Sequence, residues 1–184
     1  MVNGREYAVD CIVYATGFEG EVTPFFRRAG REIVGRNGVV VAEKWADGPR
    51  TLFGMMSRSF PNMFISPCPF QQSVVTPNFT LATTEVAAHV AATVACLEEK
   101  GIAAFDVREA AESGWCEKIL ATRVDSTPIM PLCPPSRLNN EGDPAGISPL
   151  ASNYGGSLGD FFGFKKLLAD WRATGDLAGL ELEK

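Results

Sequence analysis

One apolar run near the start of the chain constrains the fold more than any other feature. From Val9 to Tyr14 the residues are apolar toward both faces of an extended strand, with Asp10 the exception. A strand of this kind is typical of a parallel sheet that is covered by other layers on each side. The run ends in the turn Ala15–Gly17, whose small residues permit a sharp bend and the close approach of a ligand. The sequence therefore predicts a buried strand that delivers a tight turn to a binding site.

The residues before this run leave two interpretations open. Asn3-Gly4 favours a type I′ hairpin turn, because both residues tolerate a positive φ. Only Met1 and Val2 precede that turn, so the first strand of a hairpin has no residues to form it. Either the turn is an N-terminal one without a partner strand, or the chain begins inside a domain.

Short strands are predicted where turn-forming residues bound apolar runs. The turn signals are Gly35–Gly38 and Asp47–Pro49, and Pro67 and Pro69 stop the last run. The strands predicted in this way are Val39–Val41, Thr51–Phe53 and Met63–Ile65.

Further along, the apolar spacing becomes helical. Thr80–Lys100 carries apolar residues at steps of three and four, and Gly101 is placed to end that helix. His89 lies within it, where a polar contact or partial exposure is a simpler interpretation than catalysis. A second helix is predicted from Asp106, since Glu109 stands at the spacing of a capping box. Its predicted apolar face comprises Val107, Ala111, Trp115 and Ile119.

The last third of the chain combines a proline-rich segment with one more helix. Six prolines lie between Thr127 and Pro149, too many for regular structure, so this segment is an ordered arm or a linker. Ser157, with Asp160 three residues later, marks the start of the last helix, and Gly175 follows it. The apolar stripe of this helix is predicted to be Leu158, Phe161, Phe162, Leu168 and Trp171.

Composition excludes several classes of function. The 184 residues include 17 Lys and Arg against 22 Asp and Glu, a net charge of −5, which provides no basic face for nucleic acid. No uninterrupted apolar stretch reaches the ~18–20 residues of a membrane span. The five cysteines are odd in number and never form a C-x-x-C pair, so neither a disulfide framework nor a zinc site is expected, and the cytoplasm is the expected compartment. With a single histidine, chemistry by this chain is expected to depend on a bound cofactor.

Several segments resemble one family of enzymes. The run from Asp10 to Phe18 resembles the strand-and-turn signature of flavin-dependent monooxygenases with two dinucleotide-binding domains. The segments Ala42–Thr51 and Phe60–Ile65 are similar to those that follow it in Baeyer–Villiger monooxygenases. The tail resembles one subgroup of that family, at Asn139–Gly142, Tyr154–Gly156, Phe161–Phe162 and Trp171–Ala173. The resemblance covers nearly the whole chain but corresponds only to the C-terminal part of a family member.

The sequence also departs from the family pattern. Cys68 stands where the family usually has a glycine close to the flavin, and residues 133–138 replace a Cys-Thr-Pro-Gly-Tyr-Tyr segment. No G-x-G-x-x-G follows a strand, so the glycine motifs for FAD and NADP are absent from this sequence. The resemblance therefore predicts poor FAD binding and no oxygenase activity for this chain alone.

The resemblance implies which residues lie near the cofactors FAD and NADPH. The residues expected to contact FAD are Ala15, Thr16, Gly17, Thr76 and Asn78. Those expected on the substrate side are Phe70, Gln71 and Gln72. The alternative for the loop Phe70–Asn78 is a plain connection from strand to helix, in which Thr76, Asn78 or Thr80 only caps the helix. No catalytic residue and no metal ligand is assigned within this chain.

These inferences define the expected fold and function. The fold class is α/β, an incomplete FAD-binding domain of the Rossmann-like type with a C-terminal helical and proline-rich extension. Residues 1–126 would be the C-terminal part of the FAD-binding domain, and residues 127–184 the proline-rich arm and terminal helix. The expected function is part of an FAD- and NADPH-dependent monooxygenase that inserts oxygen next to a ketone carbonyl, so that the full-length parent binds a ketone and oxygen.

Other interpretations remain open at this point. One is a non-catalytic α+β interaction module, and another is a related flavoprotein N-hydroxylase or reductase. Nucleic acid and membrane partners are not expected, whereas self-association through an exposed former domain interface is.

Overall fold

The computed structural model describes residues 3–15, 30–66, 68, 70–74, 78–125, 128–143, 146–156 and 159–184, which contain both helices and a small sheet. The helices are α1 (Val41–Lys44), α2 (Phe79–Glu99), α3 (Glu109–Thr122) and α4 (Phe161–Thr174). The strands are β1 (Ala104–Val107) and β2 (Leu180–Glu183). Short 3-10 turns lie at Arg36–Gly38, Met130–Leu132 and Arg137–Gly142.

Helix α2 confirms the longest predicted helix. Asn78 caps its start, since Oδ1 accepts a hydrogen bond from the Leu81 amide at 3.3 Å. Gly101, with φ of 63°, supplies the left-handed residue that follows its end. By length and composition alone α2 would also pass for a membrane span, a test that core helices of soluble proteins pass as well. Here one face of α2 packs against α4.

The two strands form an antiparallel ladder that pairs Ala104 with Glu183 and Val107 with Leu180. The helix predicted from Asp106 is therefore wrong at its start, because that residue lies on β1 and α3 begins at Glu109. The carboxylate of Asp106 accepts hydrogen bonds from the amides of Ser59 and Val107, at 2.9 and 2.7 Å, and does not cap a helix. Further along the predicted face, Trp115 and Ile119 are buried as expected.

Helix α4 confirms the predicted last helix and most of its apolar stripe. Asp160 caps it by accepting a hydrogen bond from the Gly163 amide at 2.8 Å, and Gly175 ends it in the left-handed conformation. Leu168 is fully buried, whereas Phe162 is 80% exposed, so its assignment to the stripe is wrong. Leu158, also assigned to the stripe, and Ser157 lie outside the described residues.

One hydrophobic core draws on both predicted domains. Buried side chains from α2, β1 and α3 pack with Phe164, Leu168, Leu177 and Leu180. The strand β2 pairs with β1, and α4 packs on α2, so residues on both sides of position 126 share this core. The boundary between residues 126 and 127 stays a prediction.

The N-terminal run does not form the predicted buried strand. Residues 9–15 pair in no ladder, and Val13 and Tyr14 are 80% and 83% exposed. A strand of a parallel sheet becomes buried only between neighbouring strands, and among the described residues no strand lies beside this one. The turn at Asn3-Gly4 is confirmed, since both residues have positive φ.

The three other predicted short strands are wrong, whereas the turn predicted at Gly35–Gly38 is confirmed. Asn37 and Gly38 adopt the positive φ that the turn requires, but the following run contributes one antiparallel bridge, between Val34 and Val40. The second run forms a single bridge between Leu52 and Met56. Met63–Ile65 is not a strand. These runs are too short to extend a ladder without neighbouring strands.

Candidate functional site

The loop Phe70–Val74 lies between the segment Phe60–Ile65 and α2, and two of its residues have a left-handed backbone conformation. Phe70 and Gln72 both have φ of 64°, in the left-handed region that residues with a Cβ rarely adopt. Such conformations persist only when surrounding contacts impose them, and they concentrate at binding sites.

The side-chain amide of Gln72 supplies many of those contacts. Its Oε1 accepts hydrogen bonds from both the amide and the hydroxyl of Thr51, at 3.0 and 2.8 Å. Its Nε2 donates to the carbonyl oxygens of Pro49 and Leu150, at 2.7 and 3.4 Å. Gln72 is fully buried, so its amide is used entirely within the protein.

Backbone groups of the loop are held as well. The Gln72 amide donates to the Ser152 carbonyl at 2.9 Å, and the Gln72 carbonyl accepts from the Trp115 indole at 3.0 Å. The Phe70 amide donates to Oδ1 of Asn153 at 2.7 Å. The loop is therefore anchored on α3 and on residues 152–154.

The predicted substrate-side residues differ in exposure. Gln71 is buried and donates from Nε2 to the carbonyl of Gly54 at 3.1 Å. Gly54 has φ of 74°, and a Cβ there would lie 2.6 Å from that of Ser73, so the loop requires glycine at this position. Phe70 is half-buried and is the most accessible of the three predicted residues.

Two of the five residues predicted to contact FAD, Ala15 and Asn78, are among the described residues. Thr16, Gly17 and Thr76 lie outside the described residues. Ala15 is exposed at the end of the N-terminal run, and Asn78 is exposed at the start of α2. The capping interpretation of Asn78 is confirmed, and its contact with FAD stays a prediction. The N-terminus of this 21-residue helix carries partial positive charge, which favours an electron-rich ligand.

A buried polar cluster joins α2 to α4, and sequence patterns did not reveal it. His89 is fully buried, with Nδ1 at 3.4 Å from Nη1 of Arg172 and with no partner for Nε2. Glu85 accepts from Nη2 of Arg172 at 3.0 Å and lies 3.5 Å from Nζ of Lys165. Burial, reinforced by the charge of Arg172, lowers the pKa of His89 to about 4, although Glu85 opposes the shift. The spacing of Glu85 and His89 on one helical face is the sequence signal that could have revealed this cluster.

A second buried ion pair fixes the Ala42–Thr51 segment. Nζ of Lys44 donates to Oε1 of Glu112 on α3 at 2.8 Å, and to Ser57 and the Arg58 carbonyl. Burial is the main cause that lowers the pKa of Lys44, against the opposing effect of Glu112. Among the described residues, no group of three or more His, Cys, Asp or Glu side chains is placed to hold a metal ion.

Comparisons with known sequences indicate the class of protein. Pentalenolactone D synthase of Streptomyces exfoliatus is 43% identical over 183 residues, which cover 99% of this chain and 30% of that protein. Baeyer-Villiger monooxygenase ATR8 of Stachybotrys chlorohalonatus is 32% identical over 183 residues, or 100% of this chain and 28% of that protein. No family model matches the chain.

Solved structures agree with the sequence comparison. The polycyclic ketone monooxygenase from the thermophilic fungus Thermothelomyces thermophila aligns with a TM-score of 0.65 and 26% identity, over 88% of this chain and 25% of that one. OTEMO in complex with FAD and NADP aligns with a TM-score of 0.69 over 97% of this chain and 31% of that one. At 24% identity, the OTEMO match supports the fold alone.

Fold and sequence together define the class as flavoprotein monooxygenases. Within that class, the chain corresponds to a C-terminal portion of a Baeyer–Villiger-type monooxygenase. It spans about 30% of the length of the curated synthases that it matches.

Proposed function

We propose that this chain is the part of an FAD- and NADPH-dependent Baeyer–Villiger monooxygenase that completes the FAD-binding domain and closes over the reaction site. Residues 1–126 would end an FAD-binding domain of the Rossmann-like type, and residues 127–184 would form the extension. The observation that carries the proposal is the 43% identity to pentalenolactone D synthase over 99% of this chain.

Two features of the described residues support a flavin site at the start of α2. The loop before this helix is anchored on three segments, and the exposed helix start offers partial positive charge. Bound FAD, with NADPH as its reductant, would supply the oxygen activation for insertion of an oxygen atom next to a ketone carbonyl. Ala15, Thr16 and Gly17 would hold the cofactor with a turn of small residues, and Thr76 and Asn78 would lie beside it.

On the substrate side, the roles of the loop residues follow from their burial. Phe70 is accessible enough to contact a ketone, and Gln71 and Gln72 would shape the loop behind it. The chain would contribute position and exclusion of water, while the cofactor carries the redox chemistry. The parent protein would be cytoplasmic and would bind neither nucleic acid nor membrane.

A segment exchange tests this proposal. The matching 183 residues of the S. exfoliatus synthase are replaced by this chain, and FAD content, NADPH oxidation and formation of pentalenolactone D are measured. The unmodified synthase and the synthase cut before the junction serve as controls. We expect the exchanged protein to retain FAD and form product, and the cut protein to form none.

Two results would contradict the proposal. An exchanged protein that loses FAD would show that this chain does not complete a flavin site. One that keeps FAD but forms no oxygenated product from its ketone would show that the chain does not support the reaction.

A further inference from the structure

We propose that Gln72 is a positioning residue, which holds the loop Phe70–Val74 in the shape that presents Phe70 to the substrate. Its amide would contact protein and not the substrate itself. This inference rests on the proposed function and assigns one residue a specific part in it.

The loop needs such support because of its backbone. Two of its five residues, Phe70 and Gln72, have a left-handed φ although neither is glycine. An aromatic residue in that region is an outlier that local sequence does not favour. Contacts from elsewhere in the fold must therefore impose the conformation.

The side-chain amide of Gln72 connects the loop to two distant segments. Thr51 donates to its oxygen through both the backbone amide and the hydroxyl, and Pro49 accepts from its nitrogen. Leu150, 78 positions away in the chain, accepts from the same nitrogen. One side chain thereby joins residues 49–51, the loop and residue 150.

A carboxamide satisfies both sides of this arrangement without depending on pH. Thr51 requires an acceptor, whereas the carbonyl oxygens of Pro49 and Leu150 require donors. An ionised carboxylate offers acceptors only, and a thioether offers no strong hydrogen-bonding group. The site is also fully buried, so water does not replace a missing partner there.

The neighbouring residues extend the support to Phe70 itself. Asn153 is buried and accepts from the Phe70 amide, while the amide of Tyr154 donates to the Ser73 carbonyl at 2.8 Å. Residues 150–154 therefore clamp one side of the loop and residues 49–54 the other. Losing the side-chain amide of Gln72 would release the loop from both segments.

The first test measures amide hydrogen exchange of the 184-residue chain by mass spectrometry. In Gln72→Met and Gln72→Glu at neutral pH, exchange of the loop amides should accelerate at least about tenfold, because buried partners lose their hydrogen bonds. Thr93→Val is the matched control, since Thr93 is a buried polar residue whose hydroxyl donates to the His89 carbonyl within α2. It should leave loop exchange unchanged.

Acidification distinguishes the hydrogen-bonding role from simple packing. In Gln72→Glu, a protonated carboxyl donates again, so loop protection relative to wild type should recover as the pH falls. Gln72→Met has the same chain length and should show no recovery. Unchanged loop exchange, or an increase spread evenly over the core, would overturn the inference.

The second test uses the chimeric synthase, in which this chain replaces the matching segment of the S. exfoliatus protein. Gln72→Met should raise the KM for the ketone at least about fivefold with a smaller change in kcat, since a released loop weakens substrate binding. If the chimeric synthase is inactive before any substitution, the proposed function is refuted. Amide hydrogen exchange on the isolated chain then still decides whether Gln72 holds the loop. If the chimeric synthase is active and Gln72→Met behaves in it like Thr93→Val, the positioning role alone is refuted.

Discussion

The guanidinium of Arg172 donates to Oε1 of Glu85 at 3.0 Å, and this contact ties α4 to α2. The Glu85 side chain is only 10% exposed and that of Arg172 24%, so both charges are largely removed from water. The same guanidinium approaches Nδ1 of the buried His89. The helix that begins at the proposed flavin site is thus fixed to the C-terminal part of the chain by a buried polar cluster.

Replacing Arg172 should destabilise the fold. Arg172→Met leaves the carboxylate of Glu85 buried with only the more distant Lys165, so we expect a loss of about 1–3 kcal/mol in the free energy of unfolding. Urea denaturation followed by circular dichroism measures this loss. Lys166→Met is the matched control, because Lys166 pairs with Asp170 on the exposed face of the same helix. An exposed pair contributes at most about 0.5 kcal/mol, so equal losses in the two variants would contradict the prediction.

His89 should make stability depend on pH in a predictable direction. Its pKa falls from 6.5 to about 4 on folding, so the unfolded chain binds the proton more tightly. Stability from neutral His89 is full above the unfolded pKa and is lost as the pH falls through 6.5 toward 4, by up to about 3 kcal/mol. Urea denaturation between about pH 7 and about pH 4.5 measures this slope.

The control for that slope is His89→Phe, which keeps an aromatic ring beside Phe53 and Trp171 but does not titrate. Because the chain has one histidine, the variant should lose the part of the slope that falls between the two pKa values. An identical slope in both proteins would show that other groups cause the pH dependence.

The isolated chain should bind FAD poorly. No G-x-G-x-x-G follows a strand in this sequence, and that motif cradles the pyrophosphate of bound dinucleotides. Purification with excess FAD, followed by gel filtration and a visible absorption spectrum, measures the retained flavin. The S. exfoliatus synthase, treated in the same way, is the positive control. A stoichiometric flavin band from the isolated chain would contradict this prediction.

The exposed N-terminal run should promote self-association. Val9, Ile12, Val13 and Tyr14 expose apolar side chains in one stretch, and such patches drive association in water. Val13→Lys should lower the apparent mass measured by light scattering at high protein concentration. Ser113→Lys adds the same charge at an exposed position on α3. If both variants lower association equally, the added lysine and not the loss of the apolar side chain is responsible.

Local patterns were sufficient for helices α2 and α4. Helical spacing with Asn78 and Gly101 at the ends of α2, and Asp160 and Gly175 at the ends of α4, depends on contacts within a few residues. The strand β2 also carries a local signal, since leucine alternates with glutamate from Leu180 to Glu183, but four residues of alternation are too few to predict a strand. Family resemblance, carried by segments such as Phe60–Ile65, predicted the class that the comparisons support.

Tertiary structure decided what depends on distant partners. Whether Val9–Tyr14 is a buried strand depends on neighbouring strands and not on its own apolar pattern, so the run is exposed here. The burial of Gln72 depends on Thr51 and Leu150, and that of His89 on Arg172, none of which is close in sequence. Hydrogen bonds and burial join residues from far along the chain, whereas periodicity and capping report only on neighbours. The sequence therefore determined α2, α4 and the family resemblance, and the fold alone determined which polar side chains hold the loop in place.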